Sequence, residues 1–343
     1  MSRRWAALVW LVVGWPSEGP AQATVSVPVK EGVVRLDVET SALGRQPDQV
    51  VALRDGRFVV LEGGRLPSIF SARGDFVGTL GKHGKGPGEV TFVTWIDADI
   101  DDSLRVVDVD RVVVFDRNLR PVRTIIGSRG QLIWHAAFVR ANAYVSQSRM
   151  QDSRDLTRTV PIILRTDSGR VLSTIQVPKI NGHKTFIALS RKLDDPRAFW
   201  LAECTTEGLN GYRLSVLSET GRRLRTLPFE RDWWIGSDFK ANPVAAISKI
   251  REVRQIDIRT IAVLIAHPKT GWEKVTVNPR TMEGDVDRYE TVVELVDVPS
   301  GRLTRAATFP GYPISLLDDA RVAIYRESGD GTPAVTVQRV QRR

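Results

Sequence analysis

Apolar and polar positions alternate in short runs along this chain, and five times an apolar run enters a tight turn from which a second apolar run emerges. The copies are 68–70 with 76–80 about Gly74, 113–116 with 122–125 about Asn118, and 163–164 with 171–172 about Gly169. Two more follow, 216–217 with 222–224 about Gly221 and 295–296 with 302–303 about Gly301. Hairpin turns place residues at positive φ, where a Cβ is penalised, so Gly or Asn is expected at each. The five turn residues are 44, 51, 52 and 80 positions apart. Four short strands joined by hairpins take about 40 to 50 residues, the length of one blade of a β-propeller, and a repeat of that period decides the architecture before any single motif is weighed.

The remaining strands of each blade lie between the hairpins. The first blade offers 50–53, a turn at Asp55-Gly56, then 58–61, and the second offers 95–98, a turn at Asp101-Asp102, then 104–107. Asp-Gly between apolar runs is a strong hairpin signal. The third blade begins near Trp134, the fourth near 185–188, and the fifth between Ala245 and Ile258. The fifth also carries the residues behind the 80-position gap, an insertion over 268–288 rich in Pro, Gly, Asn and charge. Loops of that length in a compact domain are usually functional or disordered. The last segment supplies three strands, 314–317, 322–325 and 334–337, and the stretch 33–38 is available as the fourth. Pairing the two chain ends in this way closes a ring and removes open sheet edges. Residues 247–256 and 137–144 can be written as helix turns, but β-branched residues dominate them. The expectation is an all-β, six-bladed β-propeller whose last blade is closed by an N-terminal strand.

The chain ends and composition narrow the setting. Arg3 and Arg4, the apolar run 5–15, Pro16 and Ala21-Gln22-Ala23 read as a secretory signal over 1–23, leaving one domain over 24–343. An apolar run of eleven is too short to cross a bilayer as a helix, and no later stretch is long enough. A periplasmic or secreted location follows. Cys204 is the single cysteine, so no disulfide forms within the chain, and its apolar surroundings read as a buried strand. Of the net charge of +9, Arg3 and Arg4 against Glu18 account for +1, leaving +8. These cations are scattered over strand ends and turns, which argues against a nucleic-acid groove.

One local sequence goes further. Leu80-Gly81-Lys82-His83-Gly84-Lys85-Gly86-Pro87-Gly88-Glu89-Val90, then Trp95, Val106-Val107-Asp108 and 111–116, resembles the NHL-type repeat and the exported bacterial six-bladed propellers that carry it. In those proteins a Gly-x-x-Gly-x-Gly-Pro-Gly-Glu loop links one blade to the next. The match covers the first two blades, and the turn between Asp108 and Arg111 is shorter than usual by about two residues. The glycines let the backbone bend, Pro87 presets φ, and Glu89 is placed to accept backbone N–H groups. No helix and no Gly-Lys-Ser/Thr follows, so the loop reads as a connector and not as a phosphate cradle.

Links from the outer strand of one blade to the inner strand of the next share one face around the channel. They hold His83, Trp95, Trp134, His135, His183, Lys184, Trp233 and Trp234, the candidate ligand-binding residues. Aromatic faces suit peptides and sugars. Three imidazoles from separate blades, His83, His135 and His183, have the number of ligands that an open zinc site uses. The resemblance implies two enzyme alternatives, a metal-dependent lyase or a calcium-dependent lactonase, so zinc or calcium is the metal to test for, although no cofactor is predicted. Asp101-Asp102, Asp194-Asp195 and Asp318-Asp319 each precede a strand and read as turns. Gly-x-Ser-x-Gly, His-Glu-x-x-His and Cys-x-x-Cys are absent from the sequence. The expectation is a monomeric binding or scaffold protein that recognises a peptide, glycan or protein partner on the channel face, with no catalytic residue.

Overall fold

The computed structural model describes residues 34–36, 46–99, 101–109, 111–126, 131–140, 143–150, 159–166, 170–178, 186–204, 210–236, 246–275, 286–317, 320–327 and 333–340. The signal-like segment lies outside them. All longer elements are strands, and among the described residues no helix is long and apolar enough to cross a membrane.

Strand β1 (Val34–Leu36) belongs to the last sheet. The first sheet is β2 (Gln49–Ala52), β3 (Phe58–Leu61), β4 (Ser68–Phe70) and β5 (Phe76–Thr79), followed by a two-stranded parallel pair, β6 (Lys82–His83) and β7 (Glu89–Val90). The second is β8 (Val93–Ala98), β9 (Leu104–Asp108), β10 (Arg111–Phe115) and β11 (Pro121–Ile126). The third is β12 (Gln131–Arg140), β13 (Ala143–Met150), β14 (Thr159–Thr166) and β15 (Val171–Pro178). The fourth is β16 (Phe186–Arg191), β17 (Ala198–Cys204), β18 (Gly211–Ser218) and β19 (Arg223–Glu230). The fifth is β20 (Lys249–Gln255), β21 (Thr260–Pro268), β22 (Tyr289–Asp297) and β23 (Leu303–Pro310). The last is β24 (Tyr312–Leu316), β25 (Arg321–Glu327) and β26 (Pro333–Arg339), completed by β1 on the far side of β26.

These six four-stranded antiparallel sheets form a β-propeller. The first strand of each packs on the first strand of the next, from β2 through β8, β12, β16, β20 and β24 and back to β2. Apolar residues alternate between the two faces of each sheet and fill the layers between neighbours. Val51, Val59, Leu61, Ile96, Val106 and Val113 make such a layer between the first two sheets, and Tyr212, Leu214, Val263, Ile265 and Val292 make one between the fourth and fifth. The β1 register sets Leu36 opposite Val335 and Val34 opposite Val337, so both chain ends share one sheet.

The edges of the inner strands carry a second device. An acceptor side chain on one inner strand takes a backbone N–H from the next: Gln49 Oε1 from Ile96 N at 2.8 Å, Glu252 Oε2 from Leu316 N at 2.8 Å and Ser315 Oγ from Val50 N at 2.9 Å. Ser190 Oγ accepts from Gln255 N in the same manner. Buried edge donors are thereby satisfied where no strand can pair with them.

Two turns differ from the expectation. In the second sheet the residue at positive φ is Leu119 (61°), one past Asn118, because Asp116 Oδ1 accepts from Asn118 N and Arg120 N and fixes the turn one position later. The short β9–β10 turn places Val109 at φ 51°, a left-handed conformation that a β-branched residue adopts only under strain.

Candidate functional site

Every inner strand starts at the face that carries the links between sheets and ends at the opposite face. At that far end the axis is bridged by ion pairs. Arg254 of the fifth sheet lies 3.9 Å from Asp97 of the second, and Arg191 of the fourth lies 3.3 Å from Asp99 of the second. Arg105 reinforces Asp99 at 2.9 Å, and Arg254 also pairs with Glu252 at 2.7 Å. Three carboxylates and three guanidiniums from three sheets converge there, all with mostly buried side chains.

The Gly-rich connector on that face is a built structure. Glu89 Oε2 accepts Gly86 N at 2.7 Å, and the Arg111 guanidinium donates to the carbonyls of Lys85, Gly84 and Glu89. Asp108, fully buried, accepts from Thr91 N, Thr91 Oγ1, Phe92 N and Arg111 Nε. Burial opposes its charge, but these donors outweigh burial and hold the carboxyl below its usual pKa. His83 sits in β6 with its side chain exposed. Trp95, on β8, is half-buried against Val107, Val112, Val114 and Ile125 of its own sheet. Trp134 and His135 fall in β12, whose backbone alone is described, and His183 and Lys184 lie outside the described residues, as does the Asp318-Asp319 pair.

The structure brings Trp233 and Trp234 together, with ring centroids 5.9 Å apart. Trp234 is buried in the layer between the fourth and fifth sheets, while Trp233 is half-buried and meets the edge of His267 at 4.9 Å. His267, the fourth histidine and not one of the candidates, lies in β21 next to the start of the insertion. Its Nδ1 is within hydrogen-bond distance of Ser248 Oγ at 3.1 Å, and the same oxygen accepts Ile235 N. Burial lowers the His267 pKa, keeping the ring neutral. Ser248 is itself buried, which leaves this pair a structural clasp on the link. Nearby, Glu294 takes both Arg231 Nε (2.6 Å) and Nη2 (2.9 Å) and also the Tyr212 hydroxyl, joining the fourth and fifth sheets. Burial and then the Glu294 charge push the Tyr212 phenol well above its ordinary pKa. Among the described residues no group of three His, Cys, Asp or Glu is placed to hold a metal ion.

One cavity of about 220 Å³ opens on the link face between the fifth and last sheets. Lys269, Val286 and Asp287, from the two described ends of the 268–288 insertion, wall one side: Trp272–Lys274 and Val286–Arg288 form 3₁₀ turns, Lys269 N donates to Arg288 O, and the Arg288 guanidinium lies 4.7 Å over the Trp272 ring, while residues 276–285 lie outside the described residues. The β23–β24 link walls another, and it is a single residue, Gly311. A Cβ there would meet Tyr325 O and Arg326 Cγ at 2.6 Å, at a φ of 105°, so the short link requires glycine. Below lie Tyr289 and Tyr312, edge to face at 5.6 Å and buried, with Lys249 Nζ 4.5 Å over Tyr289 and Arg251 5.4 Å over Tyr312. The charged lining comprises Lys269, Asp287, Glu290, Arg326 and Glu327. Two of these are already engaged: Arg326 Nε donates to Pro310 O at 2.6 Å, and Glu327 Oε1 accepts the Tyr325 hydroxyl at 2.8 Å. Burial raises the Glu290 pKa, with Lys269 opposing, and burial lowers that of Arg326. Burial first and Glu327 second raise the Tyr325 phenol, which therefore stays protonated.

No protein-family model matches the chain, and no curated protein matches it in sequence. Solved structures do resemble it. A protein of Bacteroides fragilis described as exported aligns over 94% of this chain and 98% of its own at 11% identity and a TM-score of 0.57. The WD40 β-propeller domain of Doa1 aligns over 87% and 94% at 12% identity and 0.43, and a Bacteroides caccae protein of unknown function over 80% and 84% at 10% identity and 0.43. The first likeness shows a common propeller fold. The other two add no weight at those scores.

Proposed function

We propose that this chain is an exported, six-bladed, NHL-repeat-like propeller that works as a binding or scaffold protein, recognising a peptide, glycan or protein partner on its link face. The observation that carries the reading is the cavity on the link face between the fifth and last sheets, walled in part by Lys269, Val286 and Asp287 of the long insertion, while ion pairs between sheets bridge the far end. Ligand sites prefer concave surfaces where rigid elements hold loops. Export is supported by the signal-like first residues and by the likeness to an exported protein.

The test is an array of peptides and glycans probed with the wild-type protein, with Asp287→Trp at the cavity rim, and with Arg222→Glu on the opposite face. Ligands retained by the wild type should be lost by Asp287→Trp and kept by Arg222→Glu. Equal retention by both variants, or loss on Arg222→Glu alone, overturns the assignment of the face.

A further inference from the structure

The face opposite the links carries a pattern of its own, built by the turn repeat. In each of the first five sheets the outer strand holds a one-residue bulge just past its hairpin, where the pairing register skips Val77, Val122, Leu172, Leu224 and Thr304 in turn. A bulge twists an edge strand and re-aims a side chain. Val77 is thereby left 62% exposed, Val122 59% and Leu224 45%. In the third sheet Leu172 packs inward and the residue before it, Val171, is 43% exposed. Ile258, on the β20–β21 hairpin of the same face, is 66% exposed. Five of the seven large apolar side chains exposed among the described residues therefore gather on this face, and only Phe92 and Ile126 stand at the link face. Single exposed aliphatic groups are ordinary, whereas one at the same point of four successive sheets calls for a cause.

Cations that look scattered along the sequence meet on the same rim. Over 71–79, 116–126, 166–175, 218–227 and 297–307, the five turns with the strands they open, the sequence holds ten arginines, five carboxylates and no lysine, a surplus of five within a net charge of +9. Arg120, Arg170, Arg222 and Arg302 each directly follow the turn residue, so they occupy one equivalent position in four successive sheets. All four side chains are exposed, and none joins an ion pair or hydrogen bond among the described residues. The carboxylates are turned inward. Asp116 accepts Asn118 N and Arg120 N, Asp297 accepts Ser300 N and Oγ, and Asp75 accepts Ser71 Oγ, each within its own turn. The inner hairpins of this face do likewise, Asp102 holding Arg54 N, Asp195 holding Arg197 N and Asp257 holding Arg259 N. Guanidiniums are left as the outward charge of the rim.

The chemistry of the rim selects its partner. Guanidinium forks match phosphate oxygens, two N–H groups to two oxygens. A soluble polyanion would meet the arginines and leave the interleaved aliphatic groups in water. An added β-strand is disfavoured as well, because the bulges, Pro121 and Pro228 blunt the outer edges. A phospholipid surface satisfies both residue types, with phosphates for the guanidiniums and an apolar boundary just beneath them for short aliphatic side chains. We infer that the rim opposite the links rests on an anionic phospholipid bilayer, which leaves the link face turned to solvent.

The test mixes the full chain with phosphatidylcholine vesicles made with or without phosphatidylglycerol, at about 0.15 M salt, and measures bound protein by co-flotation. The vesicles holding phosphatidylglycerol should bind at least about tenfold tighter than the neutral ones. Arg120→Glu combined with Arg222→Glu should weaken that binding at least about tenfold. Val77→Ser combined with Leu224→Ser should weaken it at least about threefold. Melting temperatures should stay unchanged, since every replaced side chain is exposed. Ile126→Ser, which removes an equally exposed aliphatic group at the link face, should bind as the wild type does. Absence of binding to the anionic vesicles overturns the inference, and so does an equal loss on Ile126→Ser. If the serine pair binds as the wild type while the glutamate pair does not, charge alone acts, the partner is a soluble polyanion and the inference fails.

Discussion

At the scale of single residues the turns carry most of the information. Gly74, Gly221 and Gly301 all sit at positive φ, and each has a second reason to lack a side chain: a Cβ would lie 2.0 Å from Arg35 O, 2.5 Å from Ile175 Cγ1 and 2.7 Å from Leu227 Cδ2 respectively. In each case the contact belongs to the outer strand of the preceding sheet. The turn glycines are therefore seam residues, and the repeat they trace reflects the packing of sheet on sheet as well as hairpin geometry. Val109 is the contrary case. A left-handed φ costs an L-residue roughly 1–2 kcal/mol, and glycine returns part of that as unfolded-chain entropy. Val109→Gly should stabilise the protein by up to about 1 kcal/mol, visible as a rise of a few degrees at most in the thermal midpoint. A lowered midpoint would show that the valine side chain contributes packing that outweighs the strain. The turn was legible as too short, since Asp108 and Arg111 are so close in sequence, but its strain was not, because strain depends on φ and not on residue order.

At the scale of elements, the Gly-rich connector was readable as a structural link and its glutamate as an acceptor of N–H groups, both of which the geometry shows. Its chief anchor was not readable. Asp108 lies 16 to 17 positions from the residues it holds, Phe92 and Thr91, and a local pattern carries no sign of such a contact. Replacing it by asparagine keeps the shape but turns one acceptor oxygen into a donor facing other donors, a cost of about 1–3 kcal/mol for the buried groups left unsatisfied. The Asp108 pKa is lowered on folding, so the carboxylate's contribution is present above the unfolded value near 4 and is lost as pH falls through the lower folded value. Urea unfolding should show Asp108→Asn less stable at pH 7, with the gap to wild type narrowing as pH falls below about 4. A gap that stays constant with pH would mean that the aspartate acts through shape and not through charge. The candidate site fared differently from the connector. Trp233 and Trp234 are adjacent in sequence and in space, yet the cavity assembles Lys269, Glu290, Gly311 and Tyr325 from four separate segments, and nothing in their local sequence marks them as a set.

At the scale of the whole molecule, the ring depends on a three-residue strand. β1 is short, but Leu36 is fully buried in the layer that also holds Val50, Phe70, Val335 and Val337, and burying such a side chain contributes about 2 kcal/mol. Without β1, β26 becomes an edge strand with unpaired N–H and C=O groups beside exposed valines, and the Arg35 carbonyl no longer abuts Gly74 on the first sheet. The other seams keep their contacts, so the effect is concentrated where the polypeptide begins and ends. Total stabilities of 5–15 kcal/mol leave little room for a loss of several kcal/mol at one seam. A chain beginning at Gln46 should therefore melt at a markedly lower temperature than the longer chain and associate through its open edge in size-exclusion chromatography. A synthetic peptide spanning residues 30–40 should restore the midpoint in proportion to its concentration, because a strand that binds only the folded ring stabilises it by mass action. If instead the shortened chain melts at the same temperature and stays monomeric, the N-terminal strand is an appendage. The six inner strands, tied by their edge hydrogen bonds and by the ion pairs between Asp97 and Arg254 and between Asp99 and Arg191, would then hold the circle by themselves.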